Sequence, residues 1–205
     1  MDLRKTEFLS IDLETTGLNT KKDEILSVGA VPMLGTRIMA GETYYRVVRP
    51  KKFKIESIKY HGLDPKELEK APTFSEIADE LYALIGNRIL VGYAVEMDYQ
   101  FLRRALKEEG YKLANKRIDI IDLEKAICYI LGERCGDEMS LDNLAKKYGV
   151  KTSYRHNALA DAFITAQIFQ VQLLKVIKYG LGSVNKLFEL IKRCDVDRGF
   201  GSVIF

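Results

Sequence analysis

The chain has 205 residues, of which 47% are hydrophobic and 30% charged, values that describe one globular domain with a full core and exclude a disordered chain. A net charge of +3 is too small to mark a nucleic-acid binder by itself. No run approaches about 18 apolar residues, and Met1-Asp2-Leu3-Arg4-Lys5 opens no signal-peptide core, so a soluble, cytoplasmic protein without membrane contact is expected.

In chain order, residues 7–14 are apolar and β-compatible and run into the turn-like Thr15-Thr16-Gly17-Leu18-Asn19, which predicts a first strand ending near Glu14. Similar runs over 25–34 and 43–48, with Gly35 and Gly41 between them, extend this to an antiparallel meander. After a basic loop over 50–54, Phe74, Ile77, Ala78, Leu81, Leu84 and Ile85 recur at helical spacing and predict a helix ending near Gly86. Ile89-Leu90-Val91-Gly92-Tyr93 reads as a short buried strand, Asp98 as the opening of a helix stopped by Gly110, and 117–121 as a fifth strand. Helices follow over 123–131, over 141–148 with Ser140 as N-cap, and over 158–179 with Asn157 as N-cap. Gly180 and Gly182 break the last of these, and Ser183 starts another.

Three strands followed by strands alternating with helices predict an α/β domain. The expectation is a five-stranded mixed sheet flanked by helices over residues 1–179, with residues 180–205 as a helical appendage packed on it. Cys128, Cys135 and Cys194 have no paired or ligand-like spacing, so neither a disulfide nor a zinc site is expected.

Asp12 and Glu14 are two residues apart near the end of a strand, and the period of two puts both carboxylates on one face, where they need a counterion. Asp98 follows a second strand at a helix start. Asp161 lies about one turn into the long helix, among Ala158, Leu159, Ala160, Ala162 and Phe163, and an acid in so apolar a run implies a partner. Strand ends and helix starts of an α/β fold can bring these four together, and hard oxygen donors suit Mg²⁺ or Mn²⁺ rather than zinc. Of the two histidines, His156 stands five residues before Asp161, where an imidazole beside carboxylates is a candidate general base.

In these residues the chain closely resembles the DEDDh family of 3′-to-5′ exonucleases, the proofreading epsilon-subunit type with a ribonuclease H-like fold. The first motif stands as Phe8-Leu9-Ser10-Ile11-Asp12-Leu13-Glu14-Thr15-Thr16-Gly17-Leu18, the second as Leu90-Val91-Gly92-Tyr93-Ala94-Val95-Glu96-Met97-Asp98-Tyr99-Gln100-Phe101-Leu102, and the third as Arg155-His156-Asn157-Ala158-Leu159-Ala160-Asp161-Ala162. Tyr60-His61-Gly62-Leu63 is similar to the family's His-Gly-hydrophobic element, with Glu56 five residues ahead of His61. His156 in the third motif marks the His-type branch, since the other branch carries a Tyr where Asn157 stands. Tyr93 and Ala94, where many relatives have His-Asn, and Met97, where many have Phe, depart from the pattern around the second motif and bear on substrate fit there.

The resemblance implies hydrolysis with two divalent ions, Mg²⁺ or Mn²⁺, held by Asp12, Glu14, Asp98 and Asp161, with Asp12 bridging them. It also implies that His156 deprotonates the attacking water and that nucleoside 5′-monophosphates are released. The backbone of Thr15, Thr16, Gly17 and Leu18 and the side chains of Glu56 and His61 would grip the terminal nucleotide. The implied partner is nucleic acid with a free 3′ end, single-stranded or frayed; a DNA polymerase or a second copy of the chain are further partners to consider. Lys51, Lys52 and Lys54 read better as a solvated loop than as backbone contacts. RNA 3′-end trimming is the alternative activity, although Thr15-Thr16-Gly17 leans toward the DNA group because oligoribonuclease-like members usually carry Met at the first position. An inactive nucleic-acid-binding module would need a lost ligand, and none is lost.

Overall fold

The computed structural model describes residues 1–51, 62–136 and 138–199, with the backbone alone over 195–199. β1 (Glu7–Thr15) pairs antiparallel with β2 (Ile25–Leu34), and β3 (Arg37–Ile38) and β4 (Tyr44–Val47) both pair antiparallel with β2. On the other side of β1, β5 (Ile89–Gly92) and β6 (Arg117–Asp119) add in parallel, giving the order β3-β2-β1-β5-β6 with β4 beside β2. The predicted strands are all present. The sixth, β3, is two residues long and too short to leave a period in the sequence.

The described helices are α1 (Pro65–Lys70), α2 (Phe74–Ile85), α3 (Val95–Glu108), α4 (Ile120–Leu131), α5 (Leu141–Tyr148), α6 (Ala158–Lys178) and α7 (Val184–Gly199). The sequence reading had no α1, although Asp64 caps it by accepting from the Lys66 N–H at 2.9 Å and Pro65 fills its first turn. α3 begins at Val95 rather than Asp98, which places Asp98 one turn inside the helix. β6 ends at Asp119, and Asp119 caps α4.

Alternation along the strands divides the core into two layers. Leu9, Ile11 and Leu13 of β1 pack with Ile77, Leu81 and Ile85 of α2 and Phe101, Leu102 and Leu106 of α3 on one face. On the opposite face, Phe8, Val31, Met33 and Val91 meet residues of α4, α5 and α6, including Phe169, whose ring stands edge-on to Phe8 at 5.0 Å. Burying each such ring stabilises the fold by about 1.5–3 kcal/mol. Val184 and Leu187 of α7 join this second layer, and Leu190 packs with Ala126 of α4. Backbone bonds from Leu3 to Gly182 at 2.9 Å and from Val184 to Met1 at 3.1 Å join the start of α7 to the N-terminal segment.

Two sequence expectations are corrected. Cys128 and Cys135 form a disulfide: α4 ends at Gly132, and the chain folds back so that the two Cα atoms lie 5.6 Å apart, a return that their spacing did not announce. Among the described residues, α6 is long and apolar enough by length and composition to cross a membrane, where no such stretch was expected. It is a core helix packed against the sheet and its neighbouring helices.

Candidate active site

The α6-facing side of β1 changes character along its length. Phe8 lies in the core, Ser10 donates to the Ala162 carbonyl at 2.8 Å, and Asp12 and Glu14 follow on the same side by the strand's period of two. α6 can lie this close because β2 carries glycine opposite Asp12. A Cβ on Gly29 would come within 2.2 Å of the Ala158 carbonyl carbon and 2.3 Å of the Leu159 nitrogen. The first turn of α6 therefore rests on the sheet, capped by Asn157, whose Oδ1 accepts from Leu159 and Ala160 at 3.1 Å each. Asp161, one turn in, is carried to the acids of β1.

Carboxylate oxygens of Asp12, Glu14 and Asp161 lie within 4.8 Å of one another. Asp98 stands outside this trio but acts on it electrostatically. Burial pushes the Asp12 carboxyl well above its usual range; Asp98, Asp161 and Glu14 push it further, and Arg155 works against them. Burial, then the charges of Glu14 and Asp119, likewise raise Asp98 well above the ordinary value. Glu14 is pushed up to about 7 by burial and then by Asp161, with Arg155 again opposing. These shifts mark a cluster with more negative charge than its surroundings neutralise. Hard oxygen donors with excess negative charge, and no thiolate or imidazole among the three clustered groups, fit a divalent cation of the Mg²⁺ or Mn²⁺ type.

His156 is exposed beside this cluster, with its backbone in the left-handed region at φ 65° and its N–H donating to Asp161 Oδ2 at 3.2 Å. Arg155 pairs through Nη1 with Asp161 and through Nε with Asp142 Oδ1 at 3.1 Å, which ties the segment before α6 to α5. Asp161 thus anchors the His156 backbone while offering its carboxylate to the acids of β1. Arg155 lies within the third motif but had no role assigned from the sequence, because one of its two carboxylate partners, Asp142, stands 13 residues away.

The turn after β1 is built around buried Asp23. Thr16 Oγ1 donates to Asp23 Oδ1 at 3.3 Å, and the Asn19 N–H donates to Oδ2 at 2.9 Å. A Cβ on Gly17 would meet Asp23 Oδ2 at 2.5 Å, so the turn requires glycine there. Arg104 of α3 donates to the carbonyls of Thr20 and Asp23 and fixes the turn from outside. Thr15 Oγ1 donates to the Gly17 carbonyl at 2.8 Å, and Leu18 is left 78% exposed at the tip, a position suited to touching a ligand. Glu56 and His61, the other expected substrate contacts, lie outside the described residues, as do Lys52 and Lys54. Asp23, Arg104 and Asp119, which position these groups, were not singled out from the sequence. The Asp119-Ile120-Ile121-Asp122 pattern of a helix start was the one signal that could have found Asp119.

A curled mixed sheet whose first strand ends in paired carboxylates, completed by acids on two later helices, is a ribonuclease H-like arrangement. The chain belongs to the RNase T family of exonucleases, whose family model matches residues 9–169. It is 33% identical over 189 residues to the DNA polymerase III subunit epsilon of Aquifex aeolicus, covering 90% of each chain. It is 30% identical over 193 residues to the PolC-type DNA polymerase III of Caldanaerobacter subterraneus subsp. tengcongensis, covering 93% of this chain and 13% of that one. Among solved structures, Escherichia coli exonuclease I in complex with a dT13 oligonucleotide shares the fold, with a TM-score of 0.72 at 21% identity over 85% of this chain and 42% of that chain. The chain therefore spans most of the epsilon subunit but only a part of the other two.

Proposed function

We propose that the chain is a metal-dependent 3′-to-5′ exonuclease that releases nucleoside 5′-monophosphates from DNA 3′ ends. The observation that carries this reading is the convergence of the Asp12, Glu14 and Asp161 carboxylates within 4.8 Å, with Asp98 and His156 beside them. Two divalent ions, Mg²⁺ or Mn²⁺, held by Asp12, Glu14, Asp98 and Asp161, would supply positive charge for both the attacking and the leaving oxygen.

His156 accepts the proton of the attacking water, and its exposed position leaves the ring open to solvent and substrate. Water adds to the terminal phosphorus, the bond from phosphorus to the 3′ oxygen breaks, and the shortened strand keeps a 3′ hydroxyl. The phosphate leaves on the released nucleotide. The turn over Thr15, Thr16, Gly17 and Leu18, held rigid by Asp23 and Arg104, grips the terminal nucleotide through its backbone, together with Glu56 and His61. Likeness to DNA polymerase III proteins favours DNA over RNA, a single-stranded or frayed 3′ end as substrate, a polymerase as the first partner to test and a cytoplasmic setting. In this reading residues 1–179 form the exonuclease unit and 180–205 an appendage.

The test is incubation of the purified protein with Mg²⁺ or Mn²⁺ and matched DNA and RNA oligonucleotides labelled at either end. A ladder shortening from the 3′ end, with 5′-monophosphate products and loss of activity in excess chelator, is expected. Internal cuts, or full activity in chelator, would contradict the proposal.

A further inference from the structure

The helix that presents Asp98 has no cap of its own. Ala94, the residue before α3, sits in the left-handed region at φ 51° and makes no side-chain cap bond. The first N–H groups of a helix need acceptors from outside it. Here the acceptor comes from the end of β6, 24 residues along the chain: Asp119 Oδ2 accepts from the Val95 N–H at 3.1 Å. Its other oxygen, Oδ1, accepts from the Ile121 N–H at 2.9 Å as the cap of α4. One side chain therefore closes two helix starts, and Asp98 lies one turn beyond the first of them.

We propose that Asp119 is a positioning residue for Asp98: by pinning the first turn of α3 to the end of β6, its carboxylate sets where Asp98 stands relative to the acids of β1. This rests on the reading of Asp98 as a metal ligand. Asp98 is held through its helix by β6, and among the described residues Ala94, at the helix start, makes no side-chain cap bond of its own. Groups that orient a ligand in this way are worth about 10- to 100-fold in metal affinity.

The informative variant is Asp119→Ser. A serine at this position can still cap α4 through its own hydroxyl, but it is too short to reach Val95 as well. Calorimetric titration with Mn²⁺ and single-turnover cleavage of a 3′-labelled oligonucleotide are measured for wild type, Asp119→Ser, Asp119→Asn and Thr73→Ala. Thr73→Ala removes the cap of remote α2 and serves as a control of similar kind. Asp119→Ser should weaken Mn²⁺ binding about tenfold or more and slow the chemical step by about 10- to 100-fold with little change in KM for DNA. Asp119→Asn, which keeps the shape and one acceptor oxygen, should lose less, and Thr73→Ala should bind Mn²⁺ as wild type does. Equal losses in the Ser and Asn variants would assign the effect to charge alone and overturn the positioning role, as would wild-type affinity and rate in Asp119→Ser. If Asp119→Ser fails to fold, wild-type affinity and rate in Asp119→Asn overturn it equally. Failure of the wild type itself to bind Mn²⁺ would sink the proposed function instead.

Discussion

The buried Glu124 and the half-buried acids around the end of β1 behave in opposite ways. Glu124 of α4 is 2% exposed, and burial works to raise its pKa, yet Lys147, Tyr148 and Gln172 hold it below the usual carboxylate value. Lys147 Nζ lies 2.6 Å away and Gln172 Nε2 2.9 Å away, while the Tyr148 hydroxyl also donates to it. Asp12, Glu14 and Asp98 are acids that burial and neighbouring carboxylates push upward, with Arg155 as a partial counterweight at Asp12 and Glu14 alone. A structural acid brings its partners within the fold, and Glu124 thereby joins α4, α5 and α6. The acids at the end of β1 leave charge for something outside the chain to neutralise, which is the physical mark of a site.

The sharpest break in that contrast is expected at Asp12. Asp12→Ala removes an oxygen donor from the proposed metal shells. Turnover should fall by at least about 10³-fold, the scale of losing a key electrostatic contact in the transition state, and Mn²⁺ binding should weaken while circular dichroism stays native. Unchanged turnover and affinity would make Asp12 merely structural. His156→Ala should lower the single-turnover rate by roughly 10²- to 10⁴-fold with Mn²⁺ binding largely retained. A fall of less than about threefold in folded protein would remove the imidazole from the mechanism.

The opposite signature is expected at Glu124. Glu124→Ala breaks a buried ion pair and should destabilise the fold by about 3 kcal/mol, toward the low end for such pairs because Lys147 can turn to solvent. Mn²⁺ affinity per folded molecule should not change. A thermal melt and a titration on the same sample check both halves, and a loss of metal binding without loss of stability would erase the distinction between the two groups.

Much of this contrast was legible in the sequence, and the missing part has a common cause. The strands and the long α6 follow from periodicity within short windows, and Asp12, Glu14, Asp98, His156 and Asp161 from the three short motifs that carry the family resemblance. What escaped is non-local. α3 starts at Val95 because its cap is supplied from Asp119 across the sheet; Glu124 reads as an ordinary helix acid until Lys147 and Gln172 are placed beside it; Cys128 meets Cys135 only because the chain turns back after Gly132. Gly29 read only as part of a strand, whereas its lack of a side chain is what lets Asp161 approach Asp12.

The smallest expected effect concerns pH and stability without metal. Glu14 sits at about 7 in the folded protein against an ordinary 4.5, so between these values the folded state binds more protons than the unfolded state. Its stabilising effect is therefore full below the unfolded value and is lost as pH rises through 7. The melting temperature in chelator should decline from about pH 5 to about pH 8, only modestly because Glu14 is partly solvated. Glu14→Gln should flatten the decline, and an equally steep slope in that variant would assign it to other groups.

The claim that the β1 acids hold charge for a metal is tested most directly by proton release. Calorimetric titration of the wild type with Mn²⁺ near pH 6.5, repeated in buffers of different ionisation enthalpy, counts the protons that leave as the metal binds. Acids raised by burial and mutual repulsion should give up protons to the buffer on binding, and the number released should fall as the pH is raised toward 8, when Glu14 is already ionised. Binding with no proton release at either pH, or no binding at all, would contradict the account.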